Sequence, residues 1–189
     1  MSDVNAVMWH PNSLSVFTAS GDRTARMFDI RDARSVRWFR GAGSSLCSAA
    51  VSSDVSLLAC GSEAGAVTVW DIPTSRRLAT LEGHEGAVHS LTFRQNRNEL
   101  VTGGADCSVR LWDLSHALQT YHANSQLRPS ASFFTKQSPV HYVGCTAQDL
   151  LVGGGPYTLS VQGGRYVNEL RPEHKVASLG VAVIPPPPL

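Results

Sequence analysis

Short apolar runs interleaved with polar positions recur along the first two-thirds of the chain. Val4-Asn5-Ala6-Val7-Met8-Trp9, Ala87-Val88-His89-Ser90-Leu91-Thr92-Phe93 and Ser108-Val109-Arg110-Leu111-Trp112 are rich in β-formers and mostly alternate, the pattern of strands with one buried face. Turn residues separate them: His10-Pro11-Asn12-Ser13, Ser20-Gly21-Asp22, Gly61-Ser62-Glu63-Ala64-Gly65, Gly83-His84-Glu85-Gly86 and Gly103-Gly104-Ala105-Asp106. Glycine supplies positive φ, and aspartate or asparagine bonds to nearby backbone, so these clusters reverse the chain. No long helical period competes. The pattern predicts an all-β chain of hairpins, with the outer strand of successive units near residues 35–40, 77–81 and 118–122.

The hairpins repeat. Thr18 to Asp29 (TASGDRTARMFD), Cys60 to Asp71 (CGSEAGAVTVWD) and Thr102 to Asp113 (TGGADCSVRLWD) superimpose, and their final aspartates are 42 residues apart both times. That interval falls within the roughly 40 to 45 residues of a four-stranded propeller blade. Length and composition agree with a folded module: 189 residues suit one domain with a tail, and 42% apolar against 16% charged residues exclude a chain too polar to bury a core. A net charge of +1 provides no overall field toward nucleic acid or a lipid surface. The longest uncharged apolar stretch, 176–184, is far short of the roughly 20 residues of a membrane helix, and no signal-like block opens the chain, so the expectation is a soluble protein. Cys47, Cys60, Cys107 and Cys145 form no close pair of the kind zinc or redox motifs use, which points to free buried cysteines in a reducing compartment.

In register, these repeats resemble the WD40 β-propeller family. In that family a histidine between blades, a Ser/Thr in the second strand, an aspartate in the following turn and a tryptophan in the third strand form one hydrogen-bonded network. Residue by residue, the resemblance implies a structural tetrad of His84, Thr102, Asp106 and Trp112 in repeat three. Repeat one keeps Thr18 and Asp22 but has Phe28 at the tryptophan position, and its Gly-His would fall immediately before Met1. Repeat two keeps Trp70, with Ala42, Cys60 and Ala64 at the other three positions, so apolar packing is expected to hold it and to leave it less rigid.

A more particular likeness runs through Asp3-Val4-Asn5-Ala6-Val7-Met8-Trp9-His10-Pro11-Asn12-Ser13, the repeat-one motif, and Phe134-Thr135-Lys136-Gln137-Ser138-Pro139-Val140 with Asp149-Leu150-Leu151-Val152-Gly153-Gly154-Gly155-Pro156-Tyr157. These segments resemble the C-terminal propeller of the family of TBP-associated subunit 5 of transcription factor TFIID. The resemblance implies a nuclear scaffold for histone-fold TBP-associated subunits, with no catalytic residue and no cofactor. A generic WD40 adaptor in signalling or ubiquitin-ligase assembly is the alternative. About seven blades of 42 residues would close a standard ring, so the expectation is an incomplete propeller of three to four blades, an open arc from a truncated product. Its division is repeats at 1–40, 41–82 and 83–122, closing strands at 132–158, and an unassigned, Pro-rich disordered end at 159–189.

Other residues invite weaker readings. Arg31, Arg34, Arg37 and Arg40, with Arg23 and Arg26, form a basic stretch suited to an acidic protein partner, here another TFIID subunit. Against this stands pairing of Arg23 and Arg26 with Asp22 and Asp29 on a solvated face; sequence-specific nucleic-acid binding is not expected. The seven histidines lack zinc spacing, Gly41-Ala42-Gly43-Ser44-Ser45 is not a phosphate loop, and Phe133, Phe134 and Tyr142 read as core. No metal, small-molecule substrate or membrane is implied. Pro185 to Pro188 would form polyproline II in a disordered end.

Overall fold

The computed structural model describes residues 2–11, 14–94, 98–120, 125–135, 138–146, 151–155, 161–162, 165–166 and 181–184. Blade one is the antiparallel sheet β1 (Val4–Trp9), β2 (Ser15–Ser20), β3 (Ala25–Asp29), β4 (Arg34–Phe39), in that order. In blade two, β5 (Leu46–Val51), β6 (Leu57–Ser62), β7 (Val67–Asp71) and β8 (Arg77–Leu81) repeat the arrangement. Blade three begins with β9 (Val88–Phe93), β10 (Glu99–Gly104) and β11 (Ser108–Asp113). The sheets form an all-β, incomplete WD40-type propeller that does not close into a ring.

The outer strand of blade three departs from the expectation for 118–122. Residues Ser115–Thr120 form a short helix, α1; Ser125–Leu127 form β12, which runs parallel to β8 on the outer edge of blade two; and only then does β13 (Ala131–Phe134) pair with β11. Leu118 to His122 alternate like a strand, but Leu114, Ala117 and Leu118 share the one-turn spacing of a helix face, and Asp113 accepts the Ser115 N–H at 2.8 Å to start the turn. Leu114 and Ala117 are buried, so packing settles the choice. His122 lies outside the described residues.

Beyond blade three, β14 (Tyr142–Cys145) and β15 (Leu151–Gly154) pair antiparallel. A two-strand ribbon of β16 (Val161–Gln162) and β17 (Arg165–Tyr166) follows, and β18 (Val181–Ile184) pairs with β15 to make a three-stranded fourth sheet. This corrects the expectation of an unassigned, disordered end from 159: the apolar stretch Val181–Ile184 adds a ladder to Leu151–Gly154 because an unpaired strand edge would otherwise leave donors and acceptors open. Lys136, Gln137, Asp149, Leu150, Pro156, Tyr157 and the prolines at 185–188 lie outside the described residues.

The core lies between the sheets, in slices. Phe17, Ala19 and Phe39 of blade one meet Leu46, Leu58, Cys60 and Trp70 of blade two, with the Phe39 and Trp70 rings 6.2 Å apart. Leu57, Ala59, Val69 and Leu81 of blade two meet Val88, Leu100 and Trp112 of blade three. Val101, Val109 and Leu111 then meet Val140 and Val143 of the fourth unit. Each fully buried side chain of this size contributes about 1.5–3 kcal/mol, so the slices fix the stack. Phe133, Phe134 and Tyr142 are not in it, contrary to the sequence expectation: they are 36%, 75% and 61% exposed, since β13 is an outer edge and Tyr142 points away from blade three.

One backbone feature recurs with the repeat. Arg23, Gly65 and Cys107, 42 residues apart, have φ of 66°, 85° and 58° in the turn between the second and third strands. That turn requires a left-handed residue, and only blade two meets the demand with glycine.

Candidate functional site

The polar centre of the molecule lies where the linker into blade three crosses the tops of β10 and β11. Asp106 sits in the turn between those strands, Thr102 on β10, Trp112 on β11, and His84 on the linker. The Trp112 indole N–H donates to Thr102 Oγ1 at 2.9 Å, His84 Nε2 lies 2.7 Å from that oxygen, and His84 Nδ1 lies 2.9 and 3.0 Å from the two oxygens of Asp106. Thr102 and Trp112 are fully buried and His84 nearly so. One proton assignment satisfies every group: indole N–H to hydroxyl, hydroxyl O–H to Nε2, and Nδ1–H to carboxylate. It requires a neutral imidazole.

The electrostatics agree with that assignment. Burial pushes the His84 pKa down, and the Asp106 carboxylate opposes this without overcoming it. For Asp106, burial raises the pKa, but hydrogen bonds from His84 and Ser108 outweigh it and leave the carboxyl below its ordinary value. A neutral imidazole beside an ionised carboxylate is the result. Gly104 makes room for it: a Cβ there would lie 2.6 Å from His84 Nδ1 and 2.7 Å from Asp106 Oδ1.

Two participants escaped the sequence reading. Ser108 Oγ donates to Asp106 Oδ1 at 2.8 Å, and Arg110 Nη2 lies 3.3 Å from Asp106 Oδ2 while its Nε reaches Ser108 Oγ at 3.2 Å. Repeat one has the same spacing in Asp22, Thr24 and Arg26: Thr24 Oγ1 donates to Asp22 at 2.6 Å and Arg26 pairs with the same carboxylate. The Thr24 hydroxyl is the main cause of the lowered Asp22 pKa. An Asp-x-Ser/Thr-x-Arg pattern in two of the three repeats was the available signal. Repeat two lacks it, having Ala64, Ala66 and Thr68 there.

The remaining candidates are dispersed. Thr18 stands opposite Arg26 and Phe28 opposite Val16 in the blade-one ladders, both half-buried. Trp70 is fully buried, and its indole donates to the backbone carbonyl of Arg40 at 3.0 Å, because Cys60 stands where a hydroxyl would be. Around that gap, Gly41, Gly43, Ala66, Thr68, Arg77, Thr80 and Glu82 line an open cleft of about 470 Å³. Burial pushes the Cys60 thiol far up, so it stays protonated.

The four arginines do not form a single patch. Arg31 is held near Asp29 at 3.5 Å, Arg37 donates to the Pro73 carbonyl of blade two at 2.6 Å, and Arg40 lies 5.0 Å from the Trp38 ring centre. Arg34 is exposed on β4. Of the pairs considered from sequence, Arg26 meets Asp22, whereas Asp29 takes Arg31. Arg26 also stacks on Trp38 at 4.1 Å. Among the described residues no group of three or more His, Cys, Asp or Glu is placed to hold a metal ion.

Comparison with known proteins agrees with this geometry. Residues 1–29, 33–71 and 75–113 each match the family described as WD domain, G-beta repeat, more than half of the chain in all. Pre-mRNA-processing factor 19 homolog 2 of Arabidopsis thaliana is 28% identical over 153 residues, 80% of this chain and 28% of that protein. Small ribosomal subunit protein RACK1y of Oryza sativa subsp. japonica is 31% identical over 137 residues, 71% of this chain and 39% of its own length. The solved structure titled "Structure of U3-55K" superimposes with a TM-score of 0.71 at 21% identity, covering 82% of this chain and 46% of the other. This chain thus spans less than half the length of the relatives it matches. With three repeat matches, four-stranded blades and a Trp-Thr-His-Asp network in one of them, the chain belongs to the WD domain, G-beta repeat family.

Proposed function

We propose that the chain is a non-catalytic scaffold that works by protein contact, and that its setting is the nucleus, as a subunit of TFIID holding histone-fold TBP-associated subunits. A SAGA-like coactivator is a second assembly of the same kind. The observation that carries the scaffold reading is the closure of the network on itself. His84, Thr102, Asp106 and Trp112 spend their hydrogen bonds on one another, and the one acid-base pair is buried with a neutral imidazole. Such a group stiffens a blade, and stiff blades present loops and rims to partners with little rearrangement.

Support for the TFIID assignment comes from the segment after blade three. Thr135 Oγ1 donates to the Cys107 carbonyl and lies 2.5 Å from the Ser138 carbonyl, while the Val140 N–H donates to Gly104. The residues carrying the family likeness therefore bind the fourth sheet to blade three. Exposed Arg34 and the adjoining Arg37 are the candidate contacts for an acidic surface on a partner.

Affinity purification of the tagged chain from nuclear extract tests this. Histone-fold subunits should be recovered, and the Arg34→Glu/Arg37→Glu variant should lose them. Recovery of cullin adaptors without histone-fold proteins would replace the assignment with the adaptor reading, which the 31% identity to a RACK1 protein favours.

A further inference from the structure

Blade one leaves an apolar sheet face open to solvent. Trp9, Val16 and Phe28 share one row across β1, β2 and β3, and Val7, Thr18 and Arg26 share the next. Val7 is 62% and Trp9 66% exposed. Advancing 42 residues from Val16, Thr18 and Phe28 leads to Leu58, Cys60 and Trp70, and again to Leu100, Thr102 and Trp112, all six at 0% exposure. The two later trios are buried against the trailing face of the preceding sheet. What fits this surface is therefore the trailing face of another propeller sheet.

Such a face exists at the other end of the molecule. Val143 of β14 turns toward blade three and is buried, so its neighbour Tyr142 faces outward, 61% exposed, in register with Gly154 and Val181. We propose that a second copy of this chain covers blade one: the trailing face of one copy's fourth sheet lies on the leading face of the other's blade one, and two such contacts close a two-chain ring. Two copies bring eight sheets, at the upper end of the roughly four to eight blades that close a propeller. The contact continues a stacking already made three times inside each chain. Head-to-tail contacts close when the rotation permits and otherwise run on as fibres, so the assembly must be a discrete dimer.

Sedimentation equilibrium of the full chain at about 100 µM, far above the Kd of a specific interface, should give twice the 20.3 kDa of one copy. Trp9→Glu and Tyr142→Glu change residues exposed in the single chain, so each should keep the β-sheet circular dichroism and weaken dimerisation by at least about 100-fold. Mixing the two variants should restore association at one contact per pair, because each retains the face the other lacks. A folded wild-type monomer at that concentration, a dimer indifferent to both substitutions, or open-ended polymers would overturn the proposal. Failure of the mixture to associate would also overturn it, by excluding the head-to-tail arrangement.

Discussion

Blades two and three have the same strand order and a buried tryptophan at the same place, yet they hold their tops together by different means. In blade three the Trp112 indole ends in a side-chain network running through Thr102 and His84 to Asp106. Trp70 in blade two gives its proton to the Arg40 carbonyl, with Cys60 beneath it and an open cleft where the network would be. The sheet geometry therefore does not depend on the network. Apolar slices between sheets set the fold, and the polar set specifies how a linker is clamped to one blade.

Removal of either tryptophan should give the largest effect: Trp70→Ala or Trp112→Ala should each lose about 3–5 kcal/mol in chemical denaturation, since both fill slices between blades. Comparable losses would show that the two blades draw on the same apolar support. Asp106→Ala should come next, at about 1–3 kcal/mol, because it strips His84 and Ser108 of a buried acceptor. Ala64→Asp in blade two, with no histidine at position 42, should bring no gain. A finer separation comes from Trp112→Phe and Trp70→Phe. The first deprives the buried Thr102 hydroxyl of a donor and should cost about 1–2 kcal/mol, while the second leaves an exposed backbone carbonyl that water can satisfy and should cost less in the same denaturation series. A double-mutant cycle of His84→Ala with Thr102→Val should show coupling of about 0.5–3 kcal/mol.

The smallest effect is titration. His84 has its folded pKa below the ordinary 6.5 because burial disfavours the imidazolium, so its contribution is complete above that value. As pH falls below 6.5 the unfolded chain takes up the proton first, and stability declines until the folded pKa is reached. His89, lowered by burial and by the neighbouring His141, adds in the same direction. Asp106, lowered from 3.8, loses its contribution only at still lower pH. Thermal melts between pH 7.5 and 5 should show the decline, reduced in His84→Gln; an unchanged slope in that variant would remove His84 as a source.

Legibility followed the range of the interaction. The 42-residue period, the hairpins of blades one and two, and the grouping of His84, Thr102, Asp106 and Trp112 could be read from residue types at fixed offsets, because turns and ladders are local. Ser108 and Arg110 were overlooked although their pattern was visible, since a serine and an arginine on a strand read as solvated positions. The segment 114–130 misled because alternation and helix spacing coexist in it, and burial of Leu114 and Ala117 decided between them.

By itself, then, the sequence determined that the chain is built of repeated β hairpins and which blade carries a polar network, both being consequences of short-range patterning. Only the tertiary structure decided that β12 serves blade two before β13 completes blade three, that Val181–Ile184 joins Leu151–Gly154, and that Phe134 and Tyr142 face water. These depend on which surfaces meet after residues distant along the chain have packed. No local period records that choice.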